Sequence, residues 1–356
     1  MRAGTFWIAA AAVGLAVLGL TRGPIISEYF GYVEYFLFGG SGDYFFFSAY
    51  VVLQYIVLSS AWNILGGYTG YINFGTGAFF AMGAYSSVVL HKMPALTQAW
   101  FGISTPAVPL PVMILVGGIV SGIVGLGTGY LTLRLRGVFF AIATLALAIV
   151  VQTLIVNWDY VGGSRGTYII RPALAPLGGD YIQYLYTLML VLAVISVGIA
   201  RTIERSTLGF GFAAIRDDEL AAEAAGVPTL RLKLIATTLS GALMGMAGAP
   251  LPYYITYLDP ASSFNLAYAV NSVAMPVIGG MTSWIGPLLG ALLLGTIQQR
   301  LTVTHLVDNP AVNLLVVGLL LIFFVIAAPN GIVGLVKARR RKRAGAIEAL
   351  AQQRTA

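Results

Sequence analysis

The sequence predicts an all-α polytopic membrane protein with about ten transmembrane helices, and eight at the fewest. Three observations carry this. The chain is 58% hydrophobic and only 9% charged, too apolar for a folded surface in water. Its apolar residues gather into runs near the ~20 residues that cross a bilayer. One polar island, 201–233, breaks the pattern; it holds Arg201, Glu204, Arg205, Arg216, Asp217, Asp218, Glu219, Glu223, Arg231 and Lys233.

The candidate spans are 5–22, 45–64, 77–90, 107–131, 138–156, 181–200, 234–252, 265–280, 285–304 and 311–335. The third and eighth are short, which sets the lower bound on the count. No segment is long or polar enough for a soluble domain. Residues 1–340 are expected to form a single transmembrane domain, with its cytoplasmic loop at 201–233, and residues 341–356 a basic cytoplasmic tail. Two halves of five spans would have opposite topologies, an inverted five-plus-five repeat.

Residues 1–23 carry Arg2 and an apolar core, as a signal peptide does. No convincing small-x-small cleavage site precedes Arg22, so an uncleaved first span is expected. Residues 24–44 then form an outer loop whose Tyr29, Phe30, Tyr32, Tyr35 and Phe36 suit a membrane interface.

The second span runs into a stretch with five glycines between positions 66 and 77. Such a stretch is not an ordinary helix. It is either a simple inner turn or a broken helix lining a path, since irregular backbone survives in a bilayer only when buried or facing a wet cavity. The candidate path residues are Asn63, Gly66, Gly67, Gly70, Asn73, Gly75, Thr76, Gly77 and Thr144. A second glycine-rich break at 279–287 adds Gly279 and Gly280; one break in each half would pair them near a path. Gly241 and Gly245, with Ala242 and Ala249, mark a close helix contact.

The polar island contains a short helix of two to three turns. Asp217 or Asp218 can cap it, and 220–225 favours helix. Gly226 suits the left-handed position that ends it, and Pro228 prevents continuation. A helix so short needs a surface to pack on. It is a plain connector or a helix that docks on a soluble partner.

Charge orients the chain. With the N-terminus inside, most of the 20 Lys and Arg fall on the inner side: Arg2, Arg134, Arg136, those of 201–233, the run 337–343 and Arg354. Only Arg22, Lys92, Arg165, Arg171 and Arg300 fall outside. This is the positive-inside bias, and both termini are then cytoplasmic. The net charge of +7 need not mean nucleic acid: the run 337–343 is most simply a topology anchor against anionic lipid, and no nucleic-acid partner is expected.

Other classes fall away. There is no cysteine, hence no disulfide, thiolate metal site or cysteine nucleophile. His91 and His305 lie at span ends without a helical i,i+4 partner. No Gly-Lys pair exists, so no P-loop binds ATP. None of the 13 Asp and Glu falls inside a candidate span, where an ion-coupled carrier keeps ionisable groups. The chain reads as the channel-forming part of a machine powered elsewhere, with no catalytic residue and no cofactor of its own. A passive channel or secondary carrier is the alternative.

The polar island also resembles the cytoplasmic loop of importer-type ABC permeases. Their motif is Glu-Ala-Ala, three residues, then Gly; here Ala221, Ala222 and Gly226 fit, with Leu220 in the place of the Glu. The longer run through Leu208, Gly209, Ile215, Arg216, Asp217, Asp218 and Glu219 is similar to the permeases of branched-chain amino acid uptake systems, the M-type subunit in particular. The run 74–85, residues 138–148 and Gly162, Gly163 and Gly166 resemble the same family. The chain departs from it at Phe210 and Ala213, where Arg is usual, at Thr76, where His or Gln is frequent, and at Arg165.

The resemblance covers roughly 45–335. It implies a heterodimer with a second permease of the H-type, two cytoplasmic ATP-binding subunits and an extracytoplasmic solute-binding protein, all in the cytoplasmic (inner) membrane of a bacterium or archaeon. It makes Gly209, Ile215, Arg216, Asp217, Asp218, Glu219, Ala221, Ala222, Glu223 and Gly226 the candidate coupling residues. The implied substrate is a branched-chain amino acid; relatives of the same build carry urea or short amides. On the sequence alone, residues 157–180 would be the largest outer loop, either a landing surface for an external partner or a plain connector.

Overall fold

The computed structural model describes residues 45–101, 108–132, 135, 137–171, 180–303, 310–328 and 331–335. The expected first span at 5–22, the aromatic loop 24–44, Arg134, Arg136, His305, the basic run 337–343 and the tail 341–356 lie outside them.

The described chain is almost wholly helical. In order, α1 is Phe45–Thr69, α2 Thr76–Phe101, α3 Leu110–Thr132, α4 Val138–Val156 and α5 Tyr181–Glu204. Next come α6 Thr207–Asp217, α7 Glu219–Ala224, α8 Thr229–Gly248, α9 Leu251–Ile255 and α10 Pro260–Ser263. The last are α11 Leu266–Gly279, α12 Ile285–Val303 and α13 Pro310–Ala327. The helical segments Phe45–Thr69, Leu110–Thr132, Val138–Val156, Tyr181–Glu204 and Thr229–Ile255 are long and apolar enough to cross a membrane. The chain is an all-α polytopic membrane protein.

The helices alternate between two ends of the bundle. At one end lie the connections after α1, α3, α5 and α11. Gly70 lies against the Arg216 side chain, and the Trp284 backbone N–H donates to the Glu204 carboxylate at 2.6 Å. At the other end the later turns of α2 meet the connections after α4 and α8. His91 Nδ1 lies 2.9 Å from Tyr253 Oη, and Lys92 donates to the Tyr160 carbonyl at 3.0 Å. A two-residue ribbon closes this end: β1 Thr167–Tyr168 pairs antiparallel with β2 Tyr257–Leu258. Tyr257 Oη donates to the Arg165 carbonyl at 2.7 Å.

The tightest helix contact, α3 against α8, is made by glycine. Gly241 and Gly245 were expected to pack closely. Their counterparts, Gly117, Gly118, Gly122 and Gly125 on α3, form a matching stripe. A Cβ at Gly245 would sit 2.6 Å from the Gly117 carbonyl, and one at Gly125 3.1 Å from that of Thr237. Backbones that approach so closely maximise van der Waals contact, which drives association where lipid offers no hydrophobic gain.

Candidate functional site

The polar island is built as two helices, where the sequence suggested one. The chain leaves α5 and turns sharply at 205–206. Gly209 fits beneath the carbonyl of Ile203, where a side chain would collide. α6 buries Phe212 and Ile215 against the bundle and leaves Phe210 71% exposed. Asp218 then caps α7: its carboxylate accepts from the N–H groups of Leu220 and Ala221 at 2.9 and 3.0 Å. α7 has six residues, fewer than the two to three turns expected. It ends as expected at Gly226, with φ +84°. The Val227 N–H donates to the Ala222 carbonyl at 2.9 Å, the six-to-one bond of a Schellman turn.

The candidate coupling residues divide by what they touch. Gly209, Ile215 and Ala222 face the chain itself. Ala222 is buried while Ala221 is exposed, so the two alanines do not present one face to a partner. Asp218 is the cap. Glu223 accepts from Thr229 Oγ1 at 2.7 Å, tying the end of α7 to the start of α8. Arg216 and Asp217 form a pair at 3.4 Å with the carboxylate 75% exposed, a geometry that contributes little to stability. Outward from α6 and α7 stand Phe210, Asp217, Leu220 and Ala221.

Glu219 is different. Its carboxylate meets Lys233 Nζ at 2.6 Å, with the two side chains 13% and 3% exposed. The Tyr71 hydroxyl donates to the same carboxylate. Lys233 also donates to Tyr71 Oη at 3.2 Å, and its ammonium lies 4.7 Å from the centre of the Tyr71 ring. Lys233 sits in the second turn of α8. It is legible in the sequence as a charge at the edge of a span; its burial and its partners are not. Beside this cluster opens a cleft of about 430 Å³, bordered by Gly70, Tyr71, Val138, Arg216 and Glu219.

Tyr71 belongs to the first glycine break, which is narrower than expected. α1 continues without interruption through Gly66 and Gly67. Both serve packing: a Cβ at Gly66 would run into the Trp62 ring, and one at Gly67 would lie 2.6 Å from the Met281 carbonyl. The non-helical segment is 70–75, opened by Gly70 with φ +77°. It folds back along the bundle. Trp62 Nε1 donates to the Asn73 carbonyl at 2.8 Å, and the Phe74 N–H to Thr144 Oγ1 at 3.2 Å. Trp62 lies seven residues before the end of α1, and at 1.5 Å per residue α2 therefore starts roughly 10 Å inside that end.

Three of the candidate path residues thus meet: Asn73, Gly75 and Thr144. Asn73 Oδ1 accepts from the Gly75 N–H at 2.7 Å, and a Cβ at Gly75 would lie 3.3 Å from the Thr144 carbonyl. Thr76 opens α2, fully buried, and among the described residues its hydroxyl has no hydrogen-bond partner; neither has the Nδ2 of Asn73. A Cβ at Gly77 would lie 3.5 and 3.4 Å from the carbonyls of Phe264 and Asn265, where α11 begins with Asn265 as its cap. That start agrees with the expected span 265–280; its place beside Gly77 carried no local signal. Asn63 is fully buried in α1.

Gly279 and Gly280 stand apart from this group. Their stretch is a tight hairpin between α11 and α12. Gly279 fits against the Gly286 carbonyl, and Gly280 turns with φ +118° beneath Gly331. The reason is close backbone approach at a helix hairpin. Gly67 lies against the Met281 carbonyl of this hairpin, but it belongs to α1 and not to the break 70–75.

An apolar helical bundle with a re-entrant segment, and with a helix pair packed on one end of it, has the build of a membrane permease. The chain belongs to the family described as "Branched-chain amino acid transport system / permease component", matched over residues 44–325. It is 29% identical over 322 residues to the high-affinity branched-chain amino acid transport system permease protein LivM of Salmonella typhimurium, covering 83% of this chain and 72% of that one. The LivM protein of Escherichia coli is 28% identical over 323 residues, covering 84% and 72%. The probable branched-chain amino acid transport permease protein LivH of Methanocaldococcus jannaschii is 26% identical over 273 residues, covering 74% and 82%. No solved structure matches the chain.

Proposed function

We propose that this chain is the membrane-spanning subunit of an ATP-driven importer for leucine, isoleucine and valine. A second permease of the H-type completes the path, two cytoplasmic ATP-binding subunits supply the energy, and an external binding protein delivers the solute. The assembly sits in the cytoplasmic membrane with both termini of this chain inside.

One observation supports the powered reading above the others. α6 and α7 form a capped helix–turn–helix on one end of the bundle, and on their outward side they carry Phe210 and Leu220 at 71% and 62% exposure. Large apolar side chains at such exposure in the most polar part of a chain favour a protein partner. The likeness to LivM and LivH proteins supports the solute and the second permease. The buried, unpartnered hydroxyl of Thr76 and amide of Asn73 favour a path beside 73–77 and Thr144, because orphaned polar groups in a bilayer cost about 1–3 kcal/mol each.

The test is assembly and energetics together. The intact chain should copurify with an ATP-binding subunit, and deletion of 207–226 should abolish that. Proteoliposomes of the assembly should take up leucine only with ATP and loaded binding protein. Uptake by the chain alone under an ion gradient, without ATP, would sink the importer reading.

A further inference from the structure

We propose that Glu219, Lys233 and Tyr71 form the link through which movement of α7 is passed to the re-entrant segment 70–75. The inference rests on the reading of the chain as a powered permease, and it joins the candidate coupling residue Glu219 to Lys233 and Tyr71, to which that reading gives no role.

The three residues come from three separate elements. Glu219 is the first residue of α7, Lys233 lies in the second turn of α8, and Tyr71 follows Gly70 in the break. A lysine 2% exposed must be paired, and the Glu219 carboxylate at 2.6 Å does this. A clamp between α7 and α8 would need nothing more. Tyr71 adds the break to it, its hydroxyl donating to Glu219 and accepting from Lys233.

The other side of Tyr71 is held as well. Its ring meets that of Phe140, in the first turn of α4, edge-on at 5.1 Å and 88°. Two residues later the Asn73 carbonyl is held by the Trp62 indole, and the next N–H by Thr144. The Arg216 side chain lies over Gly70, 3.1 Å from where a Cβ would be. The segment is therefore short, pinned along its length, and fixed at its first end to the helix pair packed on one end of the bundle. Displacement of α7 cannot be absorbed before it reaches Asn73, Phe74 and Gly75.

Stability alone is a poor account of the cluster. Buried ion pairs are often replaceable by apolar residues without loss, and their attested use is to fix register between elements. Register between α7, α8 and the break is what a transmission requires. Separating the elements would strand a charge in a buried place, so they move as one body.

The experiment uses the full chain assembled with its partner subunits in proteoliposomes, and reads leucine taken up per ATP hydrolysed. Tyr71→Phe removes the bridging hydroxyl while both charges stay paired. Glu219→Gln breaks the pair. Each should lower uptake per ATP about tenfold, within the usual range of coupling between sites, with the ATP-binding subunits still bound. The reversed pair, Glu219→Lys with Lys233→Glu, should regain much of it. Wild-type uptake per ATP in both single variants overturns the link. Where Glu219→Gln does not accumulate, Tyr71→Phe decides. A second readout needs no transport: amide exchange at Phe74 and Gly75 in the purified full chain should quicken in the same two variants, and unchanged exchange overturns the link. Failure of the wild-type assembly to hydrolyse ATP during uptake counts against the powered reading alone, since the exchange result still decides the link.

Discussion

Single glycines decide how closely this bundle packs, and they are not equivalent. Gly245 faces the Ser121 side chain and the Gly117 carbonyl, the latter 2.6 Å from a Cβ, whereas a Cβ at Gly127 meets nothing within 4 Å. Gly245→Ala must push α3 and α8 apart and should cost about 1–3 kcal/mol, as overpacking does. Gly127 is on α3 but turned away from the stripe and exposed, so Gly127→Ala should stabilise by about 0.4–1 kcal/mol, through lower entropy of the unfolded chain. Thermal unfolding in detergent should move in opposite directions for the two; a drop for both, or for neither, sinks the packing assignment. The sequence marks both positions only as glycine. Gly66 and Gly67 repeat the lesson. In sequence they look like helix breakers, and in space they are notches for Trp62 and Met281. What a glycine is for depends on the neighbour it admits, and that neighbour is often far along the chain.

At the scale of elements, caps and stops were legible because their signals are local. Asp218, Gly226 and Pro228 fix the ends of α7 within a few residues. The ion pair of Glu219 with Lys233, 14 positions apart, and the return of 70–75 along α1 depend on tertiary placement and left no local trace. α7 makes the dependence testable. With six residues it cannot persist unaided, so loss of the Asp218 cap should be felt. Asp218→Ala should cost about 1 kcal/mol, and exchange of the Leu220 and Ala221 amides should rise by roughly fivefold. Gly226→Pro should do more, because proline holds φ near −65° and the native value is +84°. The two alanines should separate. Ala222→Arg forces a guanidinium into a position 5% exposed and should lower the amount of folded chain. Ala221→Arg should fold normally and weaken only binding of the ATP-binding subunit. Equal behaviour of the two variants in both measurements would mean that α7 lies otherwise on the bundle.

At the scale of the whole molecule, hydropathy gave the spans well: nine of the expected runs fall on α1–α5, α8 and α11–α13. It could not give the β1–β2 ribbon, whose two-residue strands carry no periodicity. That ribbon nonetheless fixes relative topology. It joins Tyr168 to Tyr257, so both lie at one end of the bundle. Between Tyr168 and Leu220 the chain crosses once, in α5, and between Leu220 and Tyr257 it crosses back in α8. Leu220 must then lie at the end opposite Tyr168. The excess of Lys and Arg on the α6–α7 side is the ground for proposing that end as the cytoplasmic one. The chain has no cysteine, so single cysteines report their own position without background. Tyr168 and Leu220 are 76% and 62% exposed, and both substitutions leave the buried cluster untouched. In intact cells a membrane-impermeant maleimide should label Tyr168→Cys. It should reach Leu220→Cys only after the membrane is opened. The reverse pattern would invert the orientation, moving α6 and α7 away from any cytoplasmic ATP-binding subunit. Labelling of both from outside would contradict the single crossing of α5, and with it the alternating bundle.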